Sequence, residues 1–281
     1  MLHDPLNAVN PHEENNRKVP VMVKPEIGLS MLYCLDKPFR HVLNCLPDLN
    51  VKHVELTDEG LHALTKNRIK KLKAIANCHD LDFVVHAPWA GVNIATINPV
   101  IRRAVLKRLS QSLVLAGQLE CRLWLFHPGF KSGLARFYPR KDWQLNLDSV
   151  RSLLKLARNE NVVIAIENMP EPFPALMKSV DDFHRFYHDL NDEIGMVLDV
   201  AHANLNNQIN DFILQFSEKI IHMHLSDNQG TSDQHLGIGY GKLDWQSLVK
   251  AVKEAQYDKL LMIESTDHPQ ESIQYLNKLF A

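Results

Sequence analysis

Nine residues of only three types stand at the ends of apolar runs in this chain of 281 residues. They are His86, His127, Glu167, Asp199 with His202 three positions on, His224, Asp233 with His235 two positions on, and Glu264. A single strand-end histidine is most often a hydrogen-bonded structural residue. Nine nitrogen and carboxylate donors at equivalent places on six consecutive runs ask for another explanation, because carboxylates gathered away from water are costly unless cations neutralise them. Donors of this kind, without thiolate, suit Zn²⁺, Mn²⁺ or Fe²⁺. Zinc takes three or four protein ligands and leaves a place for water or substrate, so nine donors with a bridging carboxylate would serve two or three ions. Such a cluster can activate water against a phosphodiester and hold its leaving oxygen.

The elements that must position these donors follow from hydrophobic periodicity. Eight short runs rich in Val, Ile and Leu read as strands: 26–32, 51–56, 81–86, 121–127, 161–167, 193–199, 219–225 and 259–264. Between them lie stretches of helical period, among them 100–117, 142–159, 180–190, 244–256 and 269–279; Asn98 and Pro99 supply an N-cap and a first-turn proline for the first. Eight strands alternating with helices in about 255 residues predict a single (β/α)8 TIM barrel of the α/β class, whose strand C-termini converge on one mouth. An open doubly wound sheet is the competing architecture, weakened by the absence of a glycine-rich phosphate loop after the first strand.

Composition sets the outer bounds. With 45% hydrophobic and 23% charged residues the chain can bury a large core, and disorder is excluded for its bulk. Lys plus Arg at 31 against Asp plus Glu at 33 gives a net charge of −2, so contact with nucleic acid would need a local basic patch. Cys34, Cys45, Cys78 and Cys121 form no CxxC pair, which speaks against a disulfide framework or zinc ribbon. No run of about 18 apolar residues occurs, and residues 1–17 are polar, so the expectation is a cytoplasmic protein without membrane association and with no obligate protein partner. Residues 1–24 read as a flexible N-terminal leader and 25–281 as the barrel.

Taken together, HAPWAGVNIA (86–95), HPG (127–129), IEN (166–168), LDVAHAN (198–204), HLSD (224–227), DQHLGIGYGKLDW (233–245) and IES (263–265) resemble the xylose isomerase-like TIM barrels. That superfamily unites endonuclease IV (AP endonuclease family 2) with many sugar isomerases and epimerases. The resemblance to the endonuclease implies a first zinc on His86, His127 and Glu167. It further implies a second on Glu167, Asp199, His224 and Glu264, and a third on His202, Asp233 and His235. The resemblance to the isomerases implies one divalent ion, zinc, manganese or another, on Glu167, Asp199, His224 and Glu264. Glu167 and Glu264 would there also move a proton between neighbouring sugar carbons.

The surplus donors make a zinc-dependent phosphodiester hydrolase acting on abasic DNA the first expectation. The second is a sugar or sugar-phosphate isomerase or epimerase, and the third a catalytically silent metal-binding barrel. The chain departs from endonuclease IV at GLSMLYC (28–34) and at TDEG (57–60), where DNA is gripped, and Glu55 looks more like the isomerase branch. Trp89 and Asn93 are expected to bind substrate by stacking on a base or sugar ring. Lys131 and Arg136, in a basic loop, are expected to bind phosphate. Gly237, Gly239 and Gly241 are expected to let the loop carrying Asp233 and His235 bend over the site.

Overall fold

The structure is a computed structural model that describes residues 24–281, so the expected leader, apart from Lys24, lies outside the described residues. Eight parallel strands form in sequence order: β1 (Glu26–Ser30), β2 (His53–Thr57), β3 (Asp82–His86), β4 (Leu123–Phe126), β5 (Ile164–Glu167), β6 (Gly195–Asp199), β7 (Ile220–Leu225) and β8 (Leu260–Ile263). β8 pairs with β1, Leu261 opposite Ile27, and this closes the sheet into a barrel. The open-sheet alternative is thereby excluded.

Helices fill the connections: α1 (Phe39–Cys45), α2 (Lys66–His79), α3 (Pro99–Leu119), α4 (Lys141–Glu160), α5 (Val180–Leu190), α6 (Val200–Leu205), α7 (Ile209–Phe216), α8 (Trp245–Glu254) and α9 (Pro269–Leu279). Asn98 caps α3 as the sequence suggests, its Oδ1 accepting from Val100 N at 2.9 Å and Ile101 N at 3.3 Å. α4 begins one residue before Asp142, whose carboxylate instead accepts from Ser132 N of the preceding loop at 2.9 Å. Ser179 and Asp182 close a capping box at the start of α5.

Two apolar layers hold these elements. The larger lies between the strands and the helix ring and includes Trp124, Phe183, Phe186 and Phe212, all fully buried. The smaller fills the barrel interior with Val84, Leu123, Leu125, Ala165, Val197, Leu260 and Met262. Register fixes which residues point inward: Glu55 pairs with Val84, and His222 with both Val197 and Leu260. Two polar side chains therefore share a layer that apolar residues otherwise fill, directly beneath the mouth. All four cysteines are free, and no helix among the described residues is long and apolar enough to cross a membrane.

Candidate metal centre

Six of the nine donors sit where a strand gives out. His86, Glu167 and Asp199 are the last residues of β3, β5 and β6, while His127 and Glu264 come directly after β4 and β8. His224 is the penultimate residue of β7. The sequence D-x-x-H after β6 has a local cause: Asp199 is the N-cap of α6, its Oδ1 accepting from His202 N at 2.7 Å, and this single turn aims the His202 ring inward. Asp233 and His235 arrive on the loop after β7. That loop is tied down by Asp227, whose buried carboxylate accepts from Gly239 N, Leu243 N and the Trp245 indole, at 3.0, 3.0 and 2.8 Å. Gly239, at φ +86°, and Gly241, where a Cβ would run into Asp227, are the glycines this closure requires. His235 itself adopts φ +48°, in the left-handed region, while its Nδ1 lies 3.0 Å from Glu264 O.

The donors gather into three adjoining groups: His86 with His127 and Glu167; Glu167 with Asp199, His224 and Glu264; and His202 with Asp233 and His235. Glu167 joins the first two. Its Oε2 lies 3.3 Å from His127 Nε2 and 3.6 Å from His86 Nε2, and its Oε1 lies 3.2 Å from His224 Nδ1. In the third group Asp233 Oδ2 is 3.2 Å from His202 Nε2 and 3.1 Å from His235 Nε2. Glu167 Oε2, Asp199 Oδ2 and Asp233 Oδ1 are buried with no hydrogen-bond partner, and it is these oxygens that a divalent cation would satisfy. The residues present therefore fit a metal centre.

Electrostatics separates the carboxylates. Burial opposes the charge of Glu167, but His224 and His127 outweigh it and hold its pKa well below the ordinary value. Burial dominates at Glu264 and pushes it up to about 7. Burial also disfavours the cationic form of His202, yet Asp199, Asp233 and Glu167 raise it to about 9; for His235, Asp233 and Glu264 raise it to about 10 against the same opposition.

Over the donors opens a cavity of about 830 Å³. His86, His127, Glu167, His202, Asp233 and Glu264 line its floor, and Trp89, Phe130 and Phe173 form an apolar wall, with Phe130 and Phe173 edge to face at 5.1 Å. Trp89 lines the cavity and is partly exposed. Asn93 lines the cavity, but its side chain is engaged as a brace: Oδ1 accepts from Ala95 N and Phe130 N, both at 2.9 Å, and Nδ2 donates to Phe130 O at 3.2 Å. Lys131 and Arg136, expected to bind phosphate, are exposed and do not line the cavity, and Lys131 N donates to Pro174 O at 2.8 Å. Among the described residues no lysine or arginine lines the cavity.

Sequence reasoning left three contributors without a role. Asn168 accepts from Asp199 N at 2.7 Å and donates to Asp199 O at 3.0 Å, locking the end of β5 to that of β6. Asp227 clamps the glycine loop. His222, with Glu55, underlies His224, and the signal for it was the alternation in HMH (222–224), which puts both rings on one face of β7.

A family model described as xylose isomerase-like TIM barrel matches residues 46–279. The chain belongs to this family. Within it the chain is similar to the uncharacterized protein MJ1311 of Methanocaldococcus jannaschii, 26% identical over 244 residues that cover 85% of this chain and 83% of that one. It is also similar to a probable endonuclease 4 of Mycoplasma mycoides, 23% identical over 240 residues covering 75% and 80%. Among solved structures, a D-tagatose 3-epimerase-like protein superposes with a TM-score of 0.84 at 25% identity, over 90% of this chain and 96% of that one. Family membership alone does not choose between the two chemistries: a sequence relative carries the endonuclease name and a solved structure of the same fold the epimerase name.

Proposed function

We propose that this family member is a divalent-metal-dependent isomerase or epimerase of unphosphorylated sugars, a reading that places the second expectation above the first. The observation that carries it is the cavity itself. Two carboxylates with separated pKa values face it, and neither a lysine nor an arginine among the described residues lines it to receive a phosphate. A duplex would in addition need a basic track across the mouth, and Lys131 and Arg136 do not provide one inside it.

A divalent ion held by Glu167, Asp199, His224 and Glu264 would supply polarisation of a substrate carbonyl and its neighbouring hydroxyl, which acidifies the carbon-bound proton between them. Glu167, kept ionised by His224 and His127, takes that proton as base. Glu264, which burial raises to about 7 in the metal-free protein, is the partner that exchanges a proton with the substrate carbon near neutral pH. Trp89 and the Phe130–Phe173 wall offer the apolar face of a sugar ring or chain a surface and exclude water from the exchanging proton.

The test is solvent exchange. Manganese-loaded protein incubated in D2O with a panel of free ketohexoses, followed by NMR, should incorporate deuterium at one carbon next to the carbonyl and form the epimer or isomer. No incorporation from any free sugar would sink this reading.

The second reading, a multinuclear phosphodiester hydrolase, is favoured by one observation: the His202–Asp233–His235 group is more than a proton-transfer site on one ion requires. It predicts more than one tightly held zinc per chain by elemental analysis, together with metal-dependent incision of a duplex carrying an abasic-site analogue. In that case His235→Ala should abolish incision, whereas an isomerase should keep a large part of its rate.

A further inference from the structure

His224 is flanked on both ring nitrogens. Its Nδ1 faces the centre, 3.2 Å from Glu167 Oε1 and 3.2 Å from Glu264 Oε2. Its Nε2 faces the opposite way, into the barrel, 2.9 Å from Oε2 of Glu55. Glu55 is fully buried on β2, across the barrel from β7, and the same Oε2 lies 3.3 Å from Nε2 of the equally buried His222. Its other oxygen, Oε1, has no hydrogen-bond partner, nor does Nδ1 of His222, and His222 Nε2 approaches Oε2 without an aligned hydrogen bond.

We infer that Glu55 is a positioning residue that fixes His224 with its ring proton on Nε2 and its Nδ1 lone pair aimed into the centre, with the His222 ring packed beside the Glu55 carboxylate. The inference rests on the reading that the centre holds a divalent ion. An imidazole carries one proton in its neutral form, and only the bare nitrogen can ligate. If the proton sat on Nδ1 it would be directed at Glu167 and Glu264, and His224 would be lost as a ligand. A carboxylate on the far nitrogen selects the productive form and makes the ligand more basic.

A purely structural role accounts poorly for Glu55. Its neighbours in the layer are Val84, Val197 and Leu260, and a residue of that kind would fill the position without an ionised group in the interior. Replacing a buried ionic cluster as a whole by apolar side chains of similar volume is often neutral or stabilising, whereas removing one partner alone is costly. The cost of keeping Glu55 is therefore matched by something other than packing, and the 2.9 Å contact with His224 is the interaction that identifies it.

The experiment compares wild type, Glu55→Gln and Glu55→Leu by chelator competition with zinc and with manganese, by melting of the metal-free proteins, and by spectra of ¹⁵N-labelled histidine in the zinc-loaded state. Glu55→Leu should bind either ion roughly 10- to 100-fold more weakly, a loss larger than any lowering of its metal-free melting temperature accounts for. Glu55→Gln, which keeps an acceptor but not the charge, should fall between. In zinc-loaded wild type the His224 proton should be found on Nε2. Wild-type affinity in both variants, or a loss of affinity that merely tracks a less stable metal-free fold, would overturn the inference while leaving the metal reading intact. A wild-type chain that retains neither ion would overturn both, whatever its behaviour toward sugars.

Discussion

Glu167 and Glu264, carried by β5 and β8, each place one carboxylate oxygen 3.2 Å from the same nitrogen, Nδ1 of His224. The shared imidazole favours the charged form of both acids, but Glu167 has His127 as a second basic neighbour, whereas Glu264 is held up by burial and by the charges of Glu167 and Glu55.

The first prediction follows from that pair. Glu264→Gln keeps the shape of the site and removes the exchangeable proton, so turnover should fall by roughly 10²- to 10⁴-fold. Glu167→Gln should do likewise, and the double variant should be little worse than either single one, since both act in one proton transfer. Steady-state rates on the sugar found active in D2O measure this, with circular dichroism to show that the barrel persists. Near-wild-type turnover in either single variant would remove the acid–base assignment.

Metal binding should release protons. In the metal-free protein burial alone would keep His202 and His235 neutral, but their carboxylate neighbours hold them cationic to about 9 and 10, and burial keeps Glu264 protonated to about 7. Ligands must be deprotonated to bind, so a raised pKa means competition by protons that weakens as pH rises. Zinc affinity should therefore increase from pH 6 to pH 8. Titration calorimetry in buffers of different ionisation enthalpy should report more than one proton released per chain at pH 7 if the His202–Asp233–His235 group is filled. An affinity flat across this window would mean that those histidines are already neutral and free.

Asp227 offers a way to loosen one group and spare the others. Its carboxylate is the common acceptor for Gly239 N, Leu243 N and the Trp245 indole, and it is fully buried. Asp227→Ala leaves those donors unsatisfied, at a cost of about 1–3 kcal/mol for each that water cannot reach. The loop bearing Asp233 and His235 should open, and ions held there should be lost while Glu167, Asp199, His224 and Glu264 still bind. Metal stoichiometry by elemental analysis, with limited proteolysis across residues 229–241, would record it. Unchanged stoichiometry with an uncut loop would show that the clamp is dispensable.

The barrel was legible because each strand is a short apolar run ended by a polar residue, and the parallel fold repeats that unit eight times. The candidate metal donors were legible for the same reason: a strand end is a position that sequence can count, and the runs ending at His86, Glu167 and Asp199 each stop at a residue able to ligate. What sequence could not supply were contacts made across the barrel. Glu55 and His224 are separated by 169 positions, and nothing in VEL (54–56) says which imidazole its carboxylate will meet. Lys131 and Arg136 show the limit from the other side. Their charge is visible in sequence, but whether a loop side chain points into a mouth or out of it depends on backbone pairing, here the Phe130–Ala175 bridge and Lys131 N to Pro174 O, which residue type does not encode.

Stability should depend on an ion pair outside the site. Asp58, fully buried at the end of β2, accepts from Arg108 of α3 through Oδ1 at 2.8 Å and Oδ2 at 3.0 Å, and its Oδ1 also accepts from Leu64 N at 2.6 Å. The partners are unequal, because the Arg108 side chain is 35% exposed and Asp58 not at all. Removing Arg108 leaves a carboxylate in the interior with one remaining donor, whereas removing the charge of Asp58 leaves a guanidinium that water can still reach. Arg108→Ala should therefore cost more than Asp58→Asn, about 3 kcal/mol, toward the low end of what a broken buried pair costs because solvent screens the exposed partner. Urea midpoints compared at equal slope would give the order. Because β2 also carries Glu55, the same Arg108→Ala protein should bind zinc as wild type does under native conditions if the pair serves stability alone, and a matching loss of zinc affinity would mean that the α3 contact also sets the position of β2 beneath the centre.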